Sequence, residues 1–319
     1  MLERIKRRLI SMGAWKTRPI GGKSCIIMYH GIDQRERMDL NLRFFSQSNF
    51  ERQVAFFKRE YNVLHLSDLC DGRGLRRDRL NVAITFDDGY RNNLTYALPV
   101  LEKHECPATF FITGLNTIGE DILWADLLDI CGPRIQAPSI VFNGLEFERG
   151  TQGRFPELRS HIRNSCFMGT DTAIELKDTL LRLSGVDLSD PDLQDYFRLM
   201  TDDEIREVSH SHWVRVGSHG MFHNNLGRMS LAAGMDELER SKDYLERVTG
   251  RTIDSVGYPD GSYAPELARA AFDLGYRYQC AVDYQQPTDS ASGYLHDRIG
   301  LYPTISLPTM HHQIASFSK

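Results

Sequence analysis

A short apolar run that ends in two adjacent acids most limits what this chain can fold into. Val82–Phe86 reads V-A-I-T-F, and Asp87, Asp88 and Gly89 follow it directly. Consecutive apolar residues indicate a strand buried on both faces, as in a parallel sheet covered by helices. Carboxylates beside an apolar core must be paired, bound to a metal or neutralised. Asp-Gly is also a common turn pair, so an acidic turn and an active site are both open readings of this stretch.

Similar apolar runs recur along the chain and alternate with segments of helical periodicity. Cys25–Tyr29 and Ala108–Ile112 are two further candidate strands. Between them, Phe50, Val54 and Phe57 recur at the spacing of one helix face. Alternating strands and helices predict a parallel sheet or barrel. A chain of 319 residues is long enough for an α/β barrel with insertions.

Residues 115–200 break this alternation. They contain several candidate helices and many charges, but no clear buried strand. We therefore expect a mostly helical insertion beside the mouth of the barrel, where it can shape a substrate cleft. Thr201 and Glu204 then form a T-x-x-E capping box, which predicts the start of the next helix. The barrel with its insertion is expected to occupy residues 23–319.

The first 22 residues predict a basic amphipathic helix. Its apolar positions are Leu2, Ile5, Leu9 and Met12, and its basic positions are Arg4, Lys6, Arg7 and Arg8. The segment lacks the continuous apolar stretch of a signal peptide. Such a helix either lies on an anionic membrane surface or covers one end of a barrel, and the sequence leaves both alternatives open.

Composition excludes several classes of protein. The net charge of −5 gives no electrostatic reason to expect a nucleic-acid partner. Six scattered cysteines without a C-x-x-C pair predict reduced core residues rather than a disulfide framework or a zinc finger. No apolar run approaches the roughly 20 residues that cross a bilayer. Together with the missing signal peptide, these features favour the cytoplasm.

Two histidines follow another candidate strand in the stretch G-S-H-G-M-F-H-N-N-L. His219 and His223 are four residues apart, a spacing that puts two imidazoles on one side of a helical turn. The alternative is an accidental surface pair. Because the pair follows a strand, as Asp88 does, all three side chains are expected at the same end of the barrel. Two histidines and one carboxylate are a common ligand set for a catalytic metal with open positions.

Three stretches, in order, resemble the successive motifs of the polysaccharide deacetylase family, which is carbohydrate esterase family 4 or the nodulation-type chitooligosaccharide deacetylase homology domain. They are T-F-D-D-G-Y at 85–90, G-S-H-G-x-x-H-x-x-L at 217–226 and G-Y-P-D-G-S-Y at 257–263. The pair Tyr29–His30 and the segment Ala108–Phe111 resemble one branch of that family. The resemblance implies a distorted (β/α) barrel of about seven strands with a helical insertion.

The resemblance also implies site residues. Asp88, His219 and His223 would bind a divalent metal ion, most readily Zn²⁺, although Co²⁺, Ni²⁺ and Fe²⁺ suit the same ligands. Asp87 would be the general base. His30 and the turn residues Tyr258, Pro259, Asp260 and Gly261 would bind the substrate, and backbone N–H groups of the turn would stabilise the oxyanion.

Two positions depart from the family pattern. Where much of the family has an arginine two residues before the motif proline, this chain has Gly257. Arg298, on the last candidate strand, is expected to supply the missing charge to Asp87, with a structural ion pair as the alternative. His296, in Y-L-H-D-R-I, is the candidate for the family's late histidine, the general acid. An ordinary strand residue is the other interpretation of His296.

The function expected from the resemblance is metal-dependent hydrolysis of the N-acetyl group of an amino sugar in a cell-envelope polysaccharide or its lipid-linked or nucleotide-linked precursor. A deformylase or an O-acetyl esterase would use the same site, because attack on any small acyl group needs the same parts. A catalytically inactive carbohydrate-binding protein is a third hypothesis. The expected partner is a carbohydrate, and the expected location is the cytoplasm, with peripheral contact at the inner membrane face.

Overall fold

The computed structural model describes residues 21–165 and 170–319. Residues 2–12, on which the prediction of a basic N-terminal helix depends, lie outside this range. Within the described residues, no helix is both long and apolar enough to cross a bilayer. The described cysteines are free thiols, as predicted: Cys25, Cys70, Cys106, Cys131 and Cys280.

One large parallel sheet organises the described residues. The strands, in chain order, are β1 (Ser24–Tyr29), β2 (Ile32–Asp33), β3 (Phe45–Ser46), β4 (Asn62–Val63), β5 (Asn81–Phe86), β6 (Ala108–Ile112), β7 (Ser139–Phe142), β8 (Leu145–Glu148), β9 (Val214–Ser218), β10 (Ser255–Gly257), β11 (Tyr278–Cys280), β12 (Leu295–His296) and β13 (Ile299–Gly300). Eight of them lie in the order β12-β11-β10-β9-β6-β5-β1-β13, and β4 pairs with the first residues of β5. All these pairs are parallel.

A single short segment joins the two edges of this sheet. β12 pairs with β11 at one edge and β13 pairs with β1 at the other, while only Asp297 and Arg298 separate β12 from β13. Residues 295–300 therefore bring both edges together, and the sheet curls into the predicted distorted (β/α) barrel. Residues 295–300, counted as one position, complete the ring formed by β11, β10, β9, β6, β5 and β1. The barrel therefore has seven positions, in agreement with the expected number.

Helices cover the outside of the sheet and fill the predicted insertion. They are α1 (Gln47–Glu60), α2 (Leu66–Cys70), α3 (Leu98–Lys103), α4 (Trp124–Cys131), α5 (Pro156–Ser165), α6 (Thr170–Ser184), α7 (Pro191–Gln194), α8 (Asp202–His210), α9 (Leu231–Thr249), α10 (Pro265–Asp273) and α11 (Leu307–Phe317). The predicted capping box at the start of α8 is present, because Thr201 and Glu204 each accept a hydrogen bond from the other's backbone N–H.

The apolar run that precedes Asp87 forms β5, a central strand of the sheet. All six residues of β5 are buried, and β5 lies between β1 and β6. Apolar side chains on both faces are what a parallel strand covered by helices requires. Its last residue, Phe86, packs edge-on against Phe110 of β6. The strand therefore ends in the packed core, directly before Asp87.

The segment 115–200 differs from expectation in one respect. Besides α4–α7 it contains the antiparallel hairpin β7–β8, whose strands are only partly buried. Ile140 and Phe142 of the hairpin are buried in a second apolar core beside the barrel. The turn is Asn143-Gly144, and both residues have positive φ angles, 50° and 72°. An Asn-Gly pair is the strongest short signal for such a hairpin, and this signal was present in the sequence.

Candidate active site

The two adjacent carboxylates stand at the carboxyl end of β5 and point to different partners. Asp87 and Asp88 are both buried, with 3% and 1% of their surfaces exposed. The chain turns sharply here, because Asp88 and Gly89 have φ angles of 76° and 81°. A Cβ atom on Gly89 would lie 2.8 Å from a side-chain carbon of Ile112. Only glycine therefore fits both the backbone conformation and the space at this turn.

Asp88, His219 and His223 form a group that can hold a metal ion. Oδ1 of Asp88 lies 3.3 Å from Nε2 of each histidine. All three ligand atoms lie within 4.8 Å of one another, and all three residues are buried. The structure thus brings together the three residues that the resemblance nominated as ligands.

The surroundings of His219 fit a metal ligand. Its Nδ1 donates a hydrogen bond of 2.6 Å to the carbonyl oxygen of Gly257. This bond places a proton on Nδ1 and directs Nε2 toward the shared point. The donor set of two imidazoles and one carboxylate suits zinc and its neighbours in the first transition row.

The electrostatics of the group also suit a cation. Burial raises the pKa of Asp88, but its contacts with His219 and His223 and the charge of Arg43 outweigh burial and hold that pKa well below its ordinary value. Burial lowers the pKa of His223, but the hydrogen bond and charge of Asp88 outweigh it and raise that pKa above its ordinary value. Asp88 is therefore ionised and attracts positive charge to the point between the rings.

The two histidines do not lie on a helical turn, contrary to the interpretation of their spacing. His219 follows β9 directly, and His223 lies in a loop with a φ angle of 55°. The buried carboxylate of Glu237 on α9 organises this loop by accepting hydrogen bonds from the backbone N–H groups of Met221 (2.7 Å) and Phe222 (3.1 Å). Its other oxygen accepts a bond from the side chain of Asn224. Side-chain bonds to the loop backbone replace the bonds of a helix, and nothing in the sequence motif indicated Glu237.

Arg298 binds Asp87 in the geometry expected of it. Nη1 and Nη2 of Arg298 lie 2.6 Å and 2.9 Å from the two carboxylate oxygens of Asp87. Arg298 is only 1% exposed, and it also donates to Thr85 and to the carbonyl oxygen of Ala281. Burial raises the pKa of Asp87, but the charge of Arg298 outweighs burial and lowers it below its ordinary value. The predicted contact is confirmed, and Asp87 is ionised at neutral pH.

The structure explains why position 257 lacks the arginine expected there. A Cβ atom on Gly257 would lie 2.7 Å from the ring of Phe111, so no larger side chain fits. The guanidinium group of Arg298 lies over the same ring, 5.3 Å from its centroid. The phenylalanine thus occupies the space near Gly257, and the arginine reaches Asp87 from the segment that joins the sheet edges.

A second arginine, Arg43, was missed by the sequence analysis. It lies between β2 and β3, and its Nη1 is 3.1 Å from Oδ2 of Asp88. Its Nη2 donates to Asp126 on α4 and to the hydroxyl oxygen of Tyr90. Tyr90 in turn donates to Asp126 at 2.6 Å. Arg43 therefore positions the carboxylate of Asp88 and ties it to the insertion, and no local pattern in the sequence indicated this role.

Asp87, Arg43 and the Asp-His-His group line a cavity of about 450 Å³ at the carboxyl ends of the strands. One side of the cavity is formed by the barrel, with His30, Asp87 and the three metal-ligand candidates. The other side is formed by the insertion, which contributes Trp124, Ala125, Asp129, Arg154, Arg159 and Arg163. A larger groove of about 780 Å³ lies between α1 and residues 303–311, but it contains none of the motif residues.

The other site candidates divide into two groups. His30, Asp260 and Gly261 line the cavity. Tyr258 and Pro259 do not line it. The ring of Tyr258 is fully buried in the barrel core, and its hydroxyl donates to Gln279 at 2.7 Å.

The backbone of the Tyr258–Ser262 turn offers fewer donors than expected. The N–H groups of Tyr258, Gly261 and Ser262 already donate to carbonyl oxygens. Pro259 has no N–H, so at most the N–H of Asp260 is left for an oxyanion. Asp260 has a φ angle of 56°, a strained conformation that is common at functional sites.

His296 is not brought to the cavity. It lies on β12 and is not among the residues that line the cavity. Burial lowers its pKa below the ordinary value. His30 lines the cavity together with Asp87 and Asp88, and burial lowers its pKa to about 4 against the opposing charge of Asp88. The geometry gives no support to His296 as the general acid.

The fold and the site together define a distorted (β/α) barrel protein whose strand ends carry an Asp-His-His group and a separate, arginine-bound carboxylate. The family model described as polysaccharide deacetylase matches residues 76–151 and 159–279, which is more than half of the chain. The chain therefore belongs to the polysaccharide deacetylase family. The matched residues include both aspartates and both histidines of the site, but neither His30 nor Arg298.

Several solved structures share the fold. PplD, a deacetylase of Streptococcus pyogenes in complex with acetate, matches with a TM-score of 0.58 and 17% identity, over 92% of this chain and 99% of that chain. IcaB from Ammonifex degensii matches with a TM-score of 0.56 and 15% identity, over 92% and 97% of the two chains. A de-N-acetylase from Aggregatibacter actinomycetemcomitans matches with a TM-score of 0.55 and 15% identity, over 91% and 98%. At these identities the likeness shows the fold alone. No curated protein matches the chain in sequence.

Proposed function

We propose that this chain is a metal-dependent hydrolase that removes the N-acetyl group from an amino sugar of a cell-envelope polysaccharide or of its precursor. One observation carries the proposal: two adjacent carboxylates have separate partners in one cavity. Asp88 faces two imidazoles, whereas Asp87 is bound by Arg298. Metal-assisted amide hydrolysis needs these two kinds of carboxylate, one as ligand and one as base.

Asp88, His219 and His223 would hold the ion, with Zn²⁺ first and Co²⁺, Ni²⁺ or Fe²⁺ as substitutes. When bound, the ion would supply a Lewis acid that polarises the amide carbonyl and makes water more acidic. Arg43 positions Asp88, and the carbonyl oxygen of Gly257 positions His219. Such supporting contacts typically change metal affinity by about 10–100-fold when they are removed.

In the proposed reaction, water attacks the carbonyl carbon of the acetamido group, and the C–N bond then breaks to release acetate and a free amine. Asp87 accepts the proton from the attacking water. Arg298 keeps that carboxylate ionised and fixes both of its oxygens. The N–H of Asp260 is the turn donor that remains for the developing negative charge.

The leaving amine needs a proton, and we infer that Asp87 returns the one that it accepted. Its lowered pKa makes the protonated carboxyl a good donor. His30, with a pKa of about 4, enters the reaction as a neutral ring and hydrogen-bonds the substrate. The variant His30→Gln tests this division, because glutamine keeps a hydrogen bond but cannot titrate. We expect a modest loss of turnover with an unchanged pH profile. A loss as large as that of Asp87→Asn, with a flattened alkaline limb, would assign the proton transfer to His30 instead.

A deformylase or an O-acetyl esterase would use the same residues, so substrates must decide between them. The experiment is an assay of the zinc-loaded protein on matched sugars that carry N-acetyl, N-formyl or O-acetyl groups, with acid release as the readout. We expect fastest release of acetate from the N-acetyl sugar and none after chelation. Faster release from the N-formyl or O-acetyl sugar would contradict the assignment. Binding without any release would indicate an inactive carbohydrate-binding protein.

We further propose a cytoplasmic location, where the enzyme would meet precursors rather than finished polysaccharide. The free cysteines support this proposal. The basic residues among positions 4–8 would add reversible contact with the inner membrane face, where lipid-linked precursors reside.

A further inference from the structure

Three arginines of the insertion line the cavity opposite the Asp-His-His group. Arg154 precedes α5, and Arg159 and Arg163 lie on it. We call these three residues the arginine wall. Arg159 and Arg163 are four residues apart, so they lie on the same helix face. The described residues that line the cavity include no lysine.

The helix residues of the wall have defined positions. The guanidinium group of Arg159 lies 5.8 Å from the ring centroid of Trp124 and donates to the carbonyl oxygen of Ala125 at 3.2 Å. It also pairs with Asp129. Nε of Arg163 lies 3.5 Å from Oδ2 of Asp260. The charge of Asp260 in turn acts to raise the pKa of His223. The wall therefore reaches the immediate surroundings of the proposed metal ligands.

One guanidinium group of the wall lacks an anionic partner. Asp129 and Asp260 pair with Arg159 and Arg163, but Arg154 has no ion pair with any residue that the structure describes. The remaining carboxylates of the cavity are engaged elsewhere, because Asp87 pairs with Arg298 and Asp88 pairs with Arg43, which also pairs with Asp126. Arg154 is therefore the cation of the wall that is left for an anionic group of a substrate.

We propose that the arginine wall binds a phosphate group that the substrate carries next to its N-acetylated sugar. The inference rests on the proposed function and narrows its substrate class to phosphorylated acetamido sugars, such as a sugar 1-phosphate or a diphosphate-linked precursor. Planar guanidinium groups bind the oxygens of a phosphate in pairs, which lysines do not. The carboxylate of an acidic sugar shares this chemistry, and the experiment separates the two sources.

The test measures binding by calorimetry rather than activity. The probes are N-acetylglucosamine, N-acetylglucosamine 1-phosphate and N-acetylmuramic acid, which carries a carboxylate. The full chain is used both zinc-loaded and after chelation. We expect the sugar phosphate to bind about tenfold more tightly than the neutral sugar, as charge-assisted hydrogen bonds at partly exposed groups allow. The preference should remain after chelation and weaken as salt is added.

A double variant and a matched control assign the preference to the wall. In Arg154→Gln/Arg163→Gln, the ratio of the affinity for N-acetylglucosamine 1-phosphate to the affinity for N-acetylglucosamine should fall to about one. In Arg182→Gln, which alters an exposed arginine of α6 outside the cavity, the ratio should stay about tenfold. Thermal unfolding of both variants confirms that they are folded.

Three results would overturn the inference. They are equal affinity for the sugar and its phosphate, a phosphate preference that survives in the double variant, and tighter binding of the carboxylate sugar than of the phosphate. The proposed function fails separately, if none of the probes releases acetate. A tenfold phosphate preference without acetate release would retain the phosphate site and reject the deacetylase.

Discussion

At the scale of single residues, the site depends on the different contacts of two neighbouring aspartates, Asp87 and Asp88. The φ angle of 76° at Asp88 turns the chain immediately after β5. As a result, Asp87 faces Arg298, whereas Asp88 faces His219 and His223. Two carboxylates that are chemically identical thus acquire different surroundings, and those surroundings determine what each can do.

Substitution of each aspartate separates ligand from base. We expect Asp87→Asn to leave bound zinc nearly unchanged and to reduce turnover by about two to four orders of magnitude, the usual contribution of a general base. Asp88→Ala should lose the metal first and the activity with it. Metal content by elemental analysis and acetate release are measured on the same preparations. Equal loss of metal in both variants would show that the two roles are assigned wrongly.

The pair Asp87–Arg298 makes a prediction about stability and pH. The folded-state pKa of Asp87 is lowered, so the pair contributes stability above the ordinary carboxylate pKa and loses it as pH falls through the lower folded value. Arg298→Gln leaves a buried carboxylate without its partner, which typically costs about 3–5 kcal/mol. In that variant burial raises the pKa of Asp87, so protonation at lower pH removes part of the cost.

The measurement is urea unfolding of Arg298→Gln and of the parent protein at pH 7 and pH 5. We expect the difference in unfolding free energy to be smaller at pH 5. The control is the double variant Asp87→Asn/Arg298→Gln, which carries no buried charge and should show no such dependence on pH. A loss of equal size at both pH values would mean that the unpaired carboxylate is not its cause.

At the scale of elements, the metal-ligand candidates are positioned by parts of the chain that contain no metal ligand. The loop after β9 is held by Glu237 of α9 rather than by helical hydrogen bonds. The insertion is hydrogen-bonded to the turn after β5, since Met200 N–H donates to the carbonyl oxygen of Gly89 at 3.0 Å and Arg91 N–H donates to that of Arg198 at 2.8 Å. A helix and an insertion therefore determine the shape of the site.

The role of Glu237 is testable by a substitution that keeps its size. In Glu237→Gln, an NH₂ group replaces one of the two accepting oxygens. It then faces either the backbone N–H groups of the loop or the side-chain amide of Asn224, which are also donors. At least one hydrogen bond is lost, and the loop is held less firmly. We expect zinc affinity to fall by about 10–100-fold, as for other supporting contacts. Competition with a zinc chelator measures the change. Glu239→Gln, two residues further along α9 and exposed, serves as the control. Unchanged zinc affinity in Glu237→Gln would mean that the histidines hold their positions without this carboxylate.

At the scale of the whole molecule, residues 295–300 both join the sheet edges and deliver Arg298 to the site. Because β12 and β13 pair with opposite edges, Arg298 lies where the barrel closes, and its side chain is buried beside Asp87. Closure of the barrel and ionisation of the proposed base therefore depend on the same six residues.

The predicted N-terminal helix makes a prediction at this scale as well. If residues 2–12 bind the membrane, each basic residue near an anionic surface contributes roughly 1 kcal/mol. Deletion of residues 1–20 should then abolish binding to vesicles that contain anionic lipid and leave the melting temperature unchanged. Vesicle flotation and thermal unfolding are the measurements, and neutral vesicles are the control. A large fall in melting temperature, with no vesicle binding by the full chain, would show instead that the helix covers the barrel.

The sequence by itself determined the features that arise from neighbouring residues. Runs of apolar residues identified β1, β5 and β6, because a strand buried on both faces needs no polar position. The capping box of α8 and the metal-ligand candidates Asp88, His219 and His223 were likewise readable, since they lie in short motifs whose chemistry depends on residue type.

Only the tertiary structure decided which distant residues meet. Arg298 and Asp87 are 211 residues apart, and Arg43 and Asp88 are 45 apart. No local pattern links such pairs, because they are brought together by the order of strands in the sheet and by its closure. For the same reason, the sequence placed His296 with the site although β12 carries it elsewhere, and gave no sign of Glu237. A motif specifies the chemistry of its own residues, but contacts between distant segments exist only once the chain has folded.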